Sequence, residues 1–417
     1  MKKITIRTNV FLLSLLLLSL ANFALAADLI KQPVEIGRMR IKPTFKYSTS
    51  FTQNVELNRD PDQKYRLAHD IKPGIIAQMP FERAYVESGY QYEYFLVNGY
   101  KGQGMHSANG LIRYDLSETA SLGLSDNFST SALDFTGNTT FQFNTADISL
   151  AKQLNNRAST NLRYAYQTYK GPSSDRYADY NDQGISLDMS YRLSPLTTLT
   201  PDFQYHHRRF RNDNVYSGLK DYDSYSGQIA ISRMLTSRVS ASINGGYTQR
   251  DYKEGTSGSG ALYGAGMNAR LTNFSQLSLN YQHAILDTFN PLEKKTLQTD
   301  SPFLNNEIIA SQLRSDYRQV ISDRIVTNLN YKLTEKDIFD LGFTYSWNWS
   351  GSSNILPGSA NNQDLDEEAY TIGLGYSRKI LKWVSLSARG AYGSKKTNSG
   401  SYYYKAFGGG LGLDIAF

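Results

Sequence analysis

The chain closes on Phe407-Gly408-Gly409-Gly410-Leu411-Gly412-Leu413-Asp414-Ile415-Ala416-Phe417. Phe407, Leu411, Leu413, Ile415 and Phe417 share one parity with Gly409, and Gly408, Gly410, Gly412, Asp414 and Ala416 fill the other. Successive side chains of an extended strand leave on opposite faces. This segment therefore has a greasy, aromatic face and a small, polar one. In a soluble sandwich the greasy face meets a second sheet. In an outer-membrane barrel it meets lipid, and the polar face lines the interior.

The same alternation runs back through the chain. Val86, Tyr90, Tyr92 and Tyr94 alternate with Glu87, Gly89, Gln91 and Glu93. Ile185, Leu187, Met189, Tyr191 and Leu193 alternate with Ser186, Asp188, Ser190 and Arg192. Leu341, Phe343, Tyr345, Trp347 and Trp349 are backed by Gly342, Thr344, Ser346 and Asn348. Each run is about 10–14 residues. A soluble strand is typically ~5–6 residues, whereas a tilted barrel strand crosses a bilayer in ~9–11. An apolar i, i+3, i+4, i+7 pattern is almost absent past residue 30, so helices are not expected.

Connections alternate in length. Short ones fall near Pro80–Arg83, Ser117–Thr119, Asn155–Arg157, Ser194–Pro195, Thr236–Ser237, Thr272–Asn273, Thr334–Asp337 and Leu381–Lys382. Long polar ones fall near 54–64, 97–106, 126–140, 170–180, 210–222, 250–259, 287–319, 350–368 and 393–401. Eight short and nine long connections join 18 strands. The expected fold is all-β: a transmembrane antiparallel up-and-down β-barrel of about 18 strands (16–18), with both termini periplasmic. The last strand should pair with the one near Ile41–Phe51, removing the open edge. A weak repeat precedes the short turns, clearest at Tyr191-Arg192-Leu193-Ser194 and Tyr331-Lys332-Leu333-Thr334. The longest connection, 287–319, is expected to fold over or into the lumen, because loops of that length usually carry a role.

The N-terminus reads as a targeting segment. Lys2, Lys3 and Arg7 precede an apolar core from Val10 to Leu20, interrupted by Ser14 and Ser19, and Ala24-Leu25-Ala26 is a small-x-small cleavage site. That is the grammar of a secretory signal peptide, and the core is short of the ~20 residues of a spanning helix. The expected organisation is a signal peptide at 1–26, a short periplasmic segment at 27–36 and a barrel over 37–417. Removing three bases from 44 leaves 41 against 38 acids, so the charge falls from +6 to +3. The pI of about 9.0 is then no argument for nucleic acid. With no cysteine, disulfides and thiolate chemistry are excluded.

Parity places Glu87, Glu93, Arg113, Asp115, Arg163, Asp188, Arg192, Asp202, His206, Arg208, Arg270 and Arg389 on the polar face. An 18-strand barrel is wide enough for a hydrated lumen, where such charges set solute selectivity or simply pair across strands. Most of the 31 Tyr and 19 Phe fall on the lipid-facing parity, as interfacial girdles require. Tyr85 is the chief inward exception within a strand. Tyr177, Tyr180, Tyr216 and Tyr222 are placed in loops, where they can meet ligand.

No catalytic, cofactor or metal site is expected. None of the five histidines, His69, His106, His206, His207 and His283, has the Ser two residues later that outer-membrane lipid hydrolases share. Adjacent residues of His206-His207-Arg208-Arg209 face opposite sides of a strand. Asp364-Leu365-Asp366-Glu367-Glu368 reads as a solvated acidic loop rather than a Ca²⁺ site.

The terminal segment resembles the C-terminal signature that the outer-membrane assembly machinery recognises, carried by Phe407, Leu411, Leu413, Ile415 and Phe417. Further segments extend the likeness: Ile41-Lys42-Pro43-Thr44-Phe45-Lys46-Tyr47, Phe51-Thr52-Gln53-Asn54-Val55, Ile71-Lys72-Pro73-Gly74-Ile75 and the Tyr191-Arg192-Leu193-Ser194-Pro195 hairpin. Together they resemble the β-barrel porin type 2 family, whose members often accompany exopolysaccharide synthesis and export. The resemblance implies a non-enzymatic channel tied to surface polysaccharide. Its expected partners are outer-membrane lipid and lipopolysaccharide, the barrel-assembly machinery, polysaccharide and periplasmic export components. A general diffusion porin and a barrel hydrolase acting on lipid or polysaccharide are the alternatives.

Overall fold

The computed structural model describes residues 34–53, 65–97, 102–132, 140–171, 179–211, 221–253, 257–287, 319–350, 365–398 and 404–416. The alternation becomes strands throughout. They are β1 (Val34–Ile36), β2 (Met39–Gln53), β3 (Tyr65–Pro80), β4 (Ala84–Val97), β5 (Gln103–Ser117), β6 (Ala120–Ala132), β7 (Thr140–Asn155), β8 (Ala158–Lys170), β9 (Tyr180–Ser194) and β10 (Thr197–Phe210). The series continues with β11 (Tyr222–Met234), β12 (Val239–Tyr252), β13 (Ser257–Arg270), β14 (Ser275–Asp287), β15 (Gln319–Lys332), β16 (Asp337–Ser350), β17 (Leu365–Leu381), β18 (Val384–Thr397) and β19 (Tyr404–Ala416).

From β2 to β19 each strand pairs antiparallel with the next, and β19 returns to β2 from Gly408↔Thr52 to Ala416↔Thr44. Eighteen strands thus close into a barrel. An even number lets every contact around the ring be antiparallel; an odd number would force one parallel pair. The short strand β1 stands outside the ring and pairs with β2, Val34 opposite Ile41. Gly37 (φ +61°) makes that tight reversal, a backbone region that only glycine enters freely.

The eight expected short turns all join neighbouring strands. Their repeat has a local cause. In six of them a Ser, Thr or Asn at the strand end turns its side-chain oxygen back onto a backbone N–H two residues on. Thr236 Oγ1 accepts from Arg238 and Val239, Thr334 Oγ1 from Lys336 and Asp337, and Asn155 Oδ1 from Arg157 and Ala158. Thr272, Ser194 and Ser117 repeat the device with Phe274, Leu196 and Thr119. Such side chains stand in for a backbone turn acceptor.

Several long connections are shorter than expected; β5 starts at Gln103, β17 at Leu365, and β18 runs to Thr397. Strand β6 continues to Ala132, well past residue 126, where the sequence points to a loop. Its outer parity holds Asp126, whose charge masks the alternation that Ser125 and Asn127 continue inward. Strands β12 and β13 likewise run to Tyr252 and from Ser257, narrowing the expected 250–259 loop. The long segment between β14 and β15, expected over the lumen, lies outside the described residues, as do residues 1–26, expected to be a signal peptide, and Phe417.

Phe407 and Leu411 stand on the outer face and are well exposed, while Ile415, of the same parity, is covered at 4% exposure. Following the register from them, the outer face carries Ile75, Tyr90, Ile112, Leu124, Ile148, Leu162, Ile185, Phe203, Ile229, Ile243, Leu279, Ile325, Leu341 and Leu374. All are exposed hydrophobics. A continuous apolar belt around a closed barrel is a lipid-facing surface. Ile243, 61% exposed, tests this. Ile243→Arg is expected to cost about 2–4 kcal/mol of folding free energy in lipid vesicles, read by urea titration. Asn268→Arg, on the opposite face of β13, should change it little. Equal costs at the two positions would overturn the face assignment.

Candidate functional site

The face opposite the belt begins at Asp414 and turns inward. Register carries it through Lys46 and Lys72 on β2 and β3 and on to Glu87 and Glu93 on β4. It continues to Arg113 and Asp115 on β5, Arg163 on β8, Asp188 and Arg192 on β9, and Asp202, His206 and Arg208 on β10. Arg270 on β13 and Arg389 on β18 lie on the same face. The structure brings these side chains into pairs rather than into one centre.

Lys46 reaches Asp414 across the closing seam at 3.2 Å. Lys72 bridges Asp70 at 2.9 Å and Glu93 at 3.0 Å. Glu87 accepts from Tyr85 Oη at 2.5 Å and from Gln78 Nε2 at 2.7 Å. Arg163 forks onto Asp147 Oδ1 through Nε (2.9 Å) and Nη2 (2.7 Å). Arg113 lies 3.4 Å from Asp115. Asp202 faces Asp188 across the ladder and accepts from Gln204 and Gln228, each at 2.9 Å. Lys395 and Glu367, both buried, pair at 2.7 Å. Glu367 thus belongs to the inner face of a strand, while Asp366 and Glu368 point outward; residues 365–368 of the expected acidic loop are the start of β17, and Asp364 lies outside the described residues.

The tightest cluster lies toward the long-connection ends of β9 and β10. Asp182 accepts Arg208 Nη2 at 2.7 Å and Nε at 2.8 Å on one oxygen, and its other oxygen lies 3.0 Å from His206 Nδ1. The Arg208 guanidinium carbon sits 4.4 Å from the Tyr180 ring centroid and 5.3 Å from that of Tyr222, a geometry in which the ring faces attract the cation. Tyr169, Tyr180, Phe210 and Tyr222 pack together, with Phe143 and Tyr252 against them. Tyr180 and Tyr222, expected in loops and open to ligand, are buried strand residues at 1% and 4% exposure. Tyr177 and Tyr216 lie outside the described residues. Tyr85, the ring that alternation places inward, donates to Glu87. Parity extended to the true strand ends would also have found Phe143, Tyr169, Phe210 and Tyr252, and the partner Asp182.

The four-residue run from His206 splits as strand geometry demands. His207 and Arg209 face outward, where His207 Nδ1 meets Asp223 at 2.7 Å and Arg209 Nε donates to His207 Nε2 at 2.8 Å. A concavity of 860 Å³ opens near the short-turn ends, among Arg83, Arg113, Asp115, Asn161, Asp188 and Ser190. Among the described residues, no group of three or more His, Cys, Asp or Glu is placed to hold a metal ion.

No protein-family model matches the chain, and no curated protein matches it. Solved structures do match in fold. The FrpB iron transporter from Neisseria meningitidis is similar at TM-score 0.52 and 9% identity, over 94% of this chain and 84% of that one. OccAB2 from Acinetobacter baumannii is similar at TM-score 0.50 and 11% identity, over 92% and 98%. The siderophore receptor PirA from Pseudomonas aeruginosa is similar at TM-score 0.50 and 9% identity, over 93% and 81%. At these identities the likeness is one of fold: a large closed barrel of the outer-membrane kind. With its apolar belt, this places the chain in the outer membrane.

Asp182 and Arg208 are almost wholly buried. Removing one partner of such a pair strands the other charge at a cost of about 3–5 kcal/mol. Asp182→Ala should therefore lower the urea midpoint of the folded barrel, and Asp182→Ala with Arg208→Met should recover much of the loss. A single variant as stable as the parent would remove the clamp from the account.

Proposed function

We propose that the protein is a non-enzymatic, porin-like channel of the outer membrane that serves the export or assembly of surface polysaccharide. One observation carries the channel reading. The inner face of a closed barrel of 18 strands carries many charged and polar side chains, and most of its carboxylates are matched by a neighbouring base or amide. A wall that neutralises its own charge suits bulky, hydrated cargo better than it suits a strongly selected ion. The polysaccharide pathway is supported by the short segments that resemble the β-barrel porin type 2 family. The short turns would then face the periplasm and export components there, and the long connections the cell exterior and lipopolysaccharide.

Planar-bilayer recording of the purified chain should give steady ionic conductance with weak cation–anion preference. Silent bilayers, with the segment between β14 and β15 both present and deleted, would overturn the open channel. Loss of the gene should lower surface or secreted polysaccharide; an unchanged level would remove the pathway. Rapid uptake of unrelated small sugars into proteoliposomes would point to a general diffusion porin instead.

A further inference from the structure

The inner wall is not evenly charged. On β2 to β11 and on β19, inward bases and carboxylates come in nearly equal numbers, and most are joined in the pairs described above. From β12 to β18 the inner face carries Arg250, Arg270, Arg324, Lys332, Lys379 and Arg389, besides the buried Lys395–Glu367 pair. The other inward carboxylate described there is Asp340, which accepts from Asn330 at 2.6 Å. This arc of the wall is therefore cationic.

The excess gathers toward the short turns. Arg270 ends β13, Lys332 ends β15, Lys379 lies two residues before the end of β17, and Arg389 is in the first half of β18. All four are exposed, and among the described residues their side chains make neither an ion pair nor a hydrogen bond. The turns beside them add to the excess. The backbone of Arg270 bonds to that of Arg238, and the backbone of Lys379 to that of Lys336; Glu335 is the one carboxylate in the turns from β11 to β18. Arg270, Lys332 and Lys379 stand on alternate strands, so neighbours are two strand spacings apart, about 10 Å around the ring. The inward residues among them are mainly Ser, Asn and Gln, as at Gln276, Ser278, Asn330, Ser377 and Ser385, and Ile338 is the bulky apolar one.

We propose that this arc, at the short-turn mouth of the lumen, binds a linear acidic glycan, a chain of sugars that bear carboxylates. Guanidinium and ammonium groups form charge-assisted hydrogen bonds to carboxylates, and the Ser, Asn and Gln side chains between them donate to and accept from sugar hydroxyls. A cleft lined by one sign of charge also raises the local concentration of the other. An acidic protein segment would bring apolar side chains as well, for which the arc offers little beyond Ile338. Small ions need not follow the wall. In 1 M salt the screening length is ~3 Å, so ions in the middle of a wide lumen are weakly sorted while a chain lying on the arc is held. As a cargo site the arc rests on the channel reading given above, to which it adds the class of cargo.

The test uses the full chain in a polyoxyethylene detergent and calcium-free, low-salt buffer. Hexagalacturonate is the acidic probe in calorimetric titration, and maltohexaose is the neutral probe of equal length. Hexagalacturonate is expected to bind saturably, to weaken as salt rises, and to bind at least about tenfold more tightly than maltohexaose. Arg270→Gln with Lys332→Gln should weaken it by about tenfold while the barrel keeps its heat-modifiable migration. Lys152→Gln with Arg157→Gln, on β7 and the turn after it, removes the same charge from the other side of the ring and should change affinity less than about twofold. No saturable binding to the parent chain, equal affinity for the two sugars, or equal effects of the two double variants would each overturn the arc. Capped hexaglutamate binding as tightly as hexagalacturonate would overturn the glycan in favour of an acidic protein segment. Bilayer conductance run in parallel separates the two ideas. Conductance without hexagalacturonate binding sinks the arc and leaves the channel; binding without conductance keeps the arc and sinks the open channel.

Discussion

Every backbone N–H and C=O that faces hydrocarbon must find its partner within the protein. The pairing of β19 with β2 meets that demand, because it is the contact that turns a sheet with two open edges into a ring with none. The rest depends on it. Closure requires the strand count to be even for an all-antiparallel ring, and it gives each strand an unambiguous inside and outside. The seam also brings Lys46 to Asp414, so the charge pairing of the lumen wall continues across the place where the first and last barrel strands meet.

Once the two faces exist, they obey different solvents. Outside, lipid favours any apolar side chain and tolerates variety in shape. Inside, a charge is acceptable only if water or a partner attends it. Over β2 to β10 the protein mostly supplies the partner, to the extreme of Arg208, held by Asp182 and enclosed by Tyr180 and Tyr222. On β11 to β14, between Arg250 and Arg270, the described inward residues carry no charge, and amides such as Asn244, Asn268 and Asn280 stand there instead. The result is a lumen whose two sides differ in chemistry although every strand has the same period.

Much of this was legible in the residues. Strand period, the eight short turns, the number of strands and the closing pair could all be read from alternation and turn chemistry. Alternation faded at the long-connection ends, and there the reading went astray. Strands of 13–17 residues exceed the ~9–11 that a bilayer needs. Their surplus stands in water, so nothing requires an apolar outward residue there. Tyr180 and Tyr222 were lost to loops for the same reason. The partnership of Asp182 with Arg208 was hidden differently. Parity within one strand tells which way a side chain points, but only the register between strands tells what it meets.

The capped short turns have a consequence for the history of such a molecule. Six of the eight short-turn hairpins carry their own reversal device, in Thr236 or Thr334 and their counterparts, which sets the turn without a long-range contact. A hairpin is therefore a unit that can be duplicated or lost whole. Adding one widens the ring by two strands, preserves evenness and leaves every inherited residue on the side it already occupied. Circumference can thus change in steps while the identity of each face is conserved.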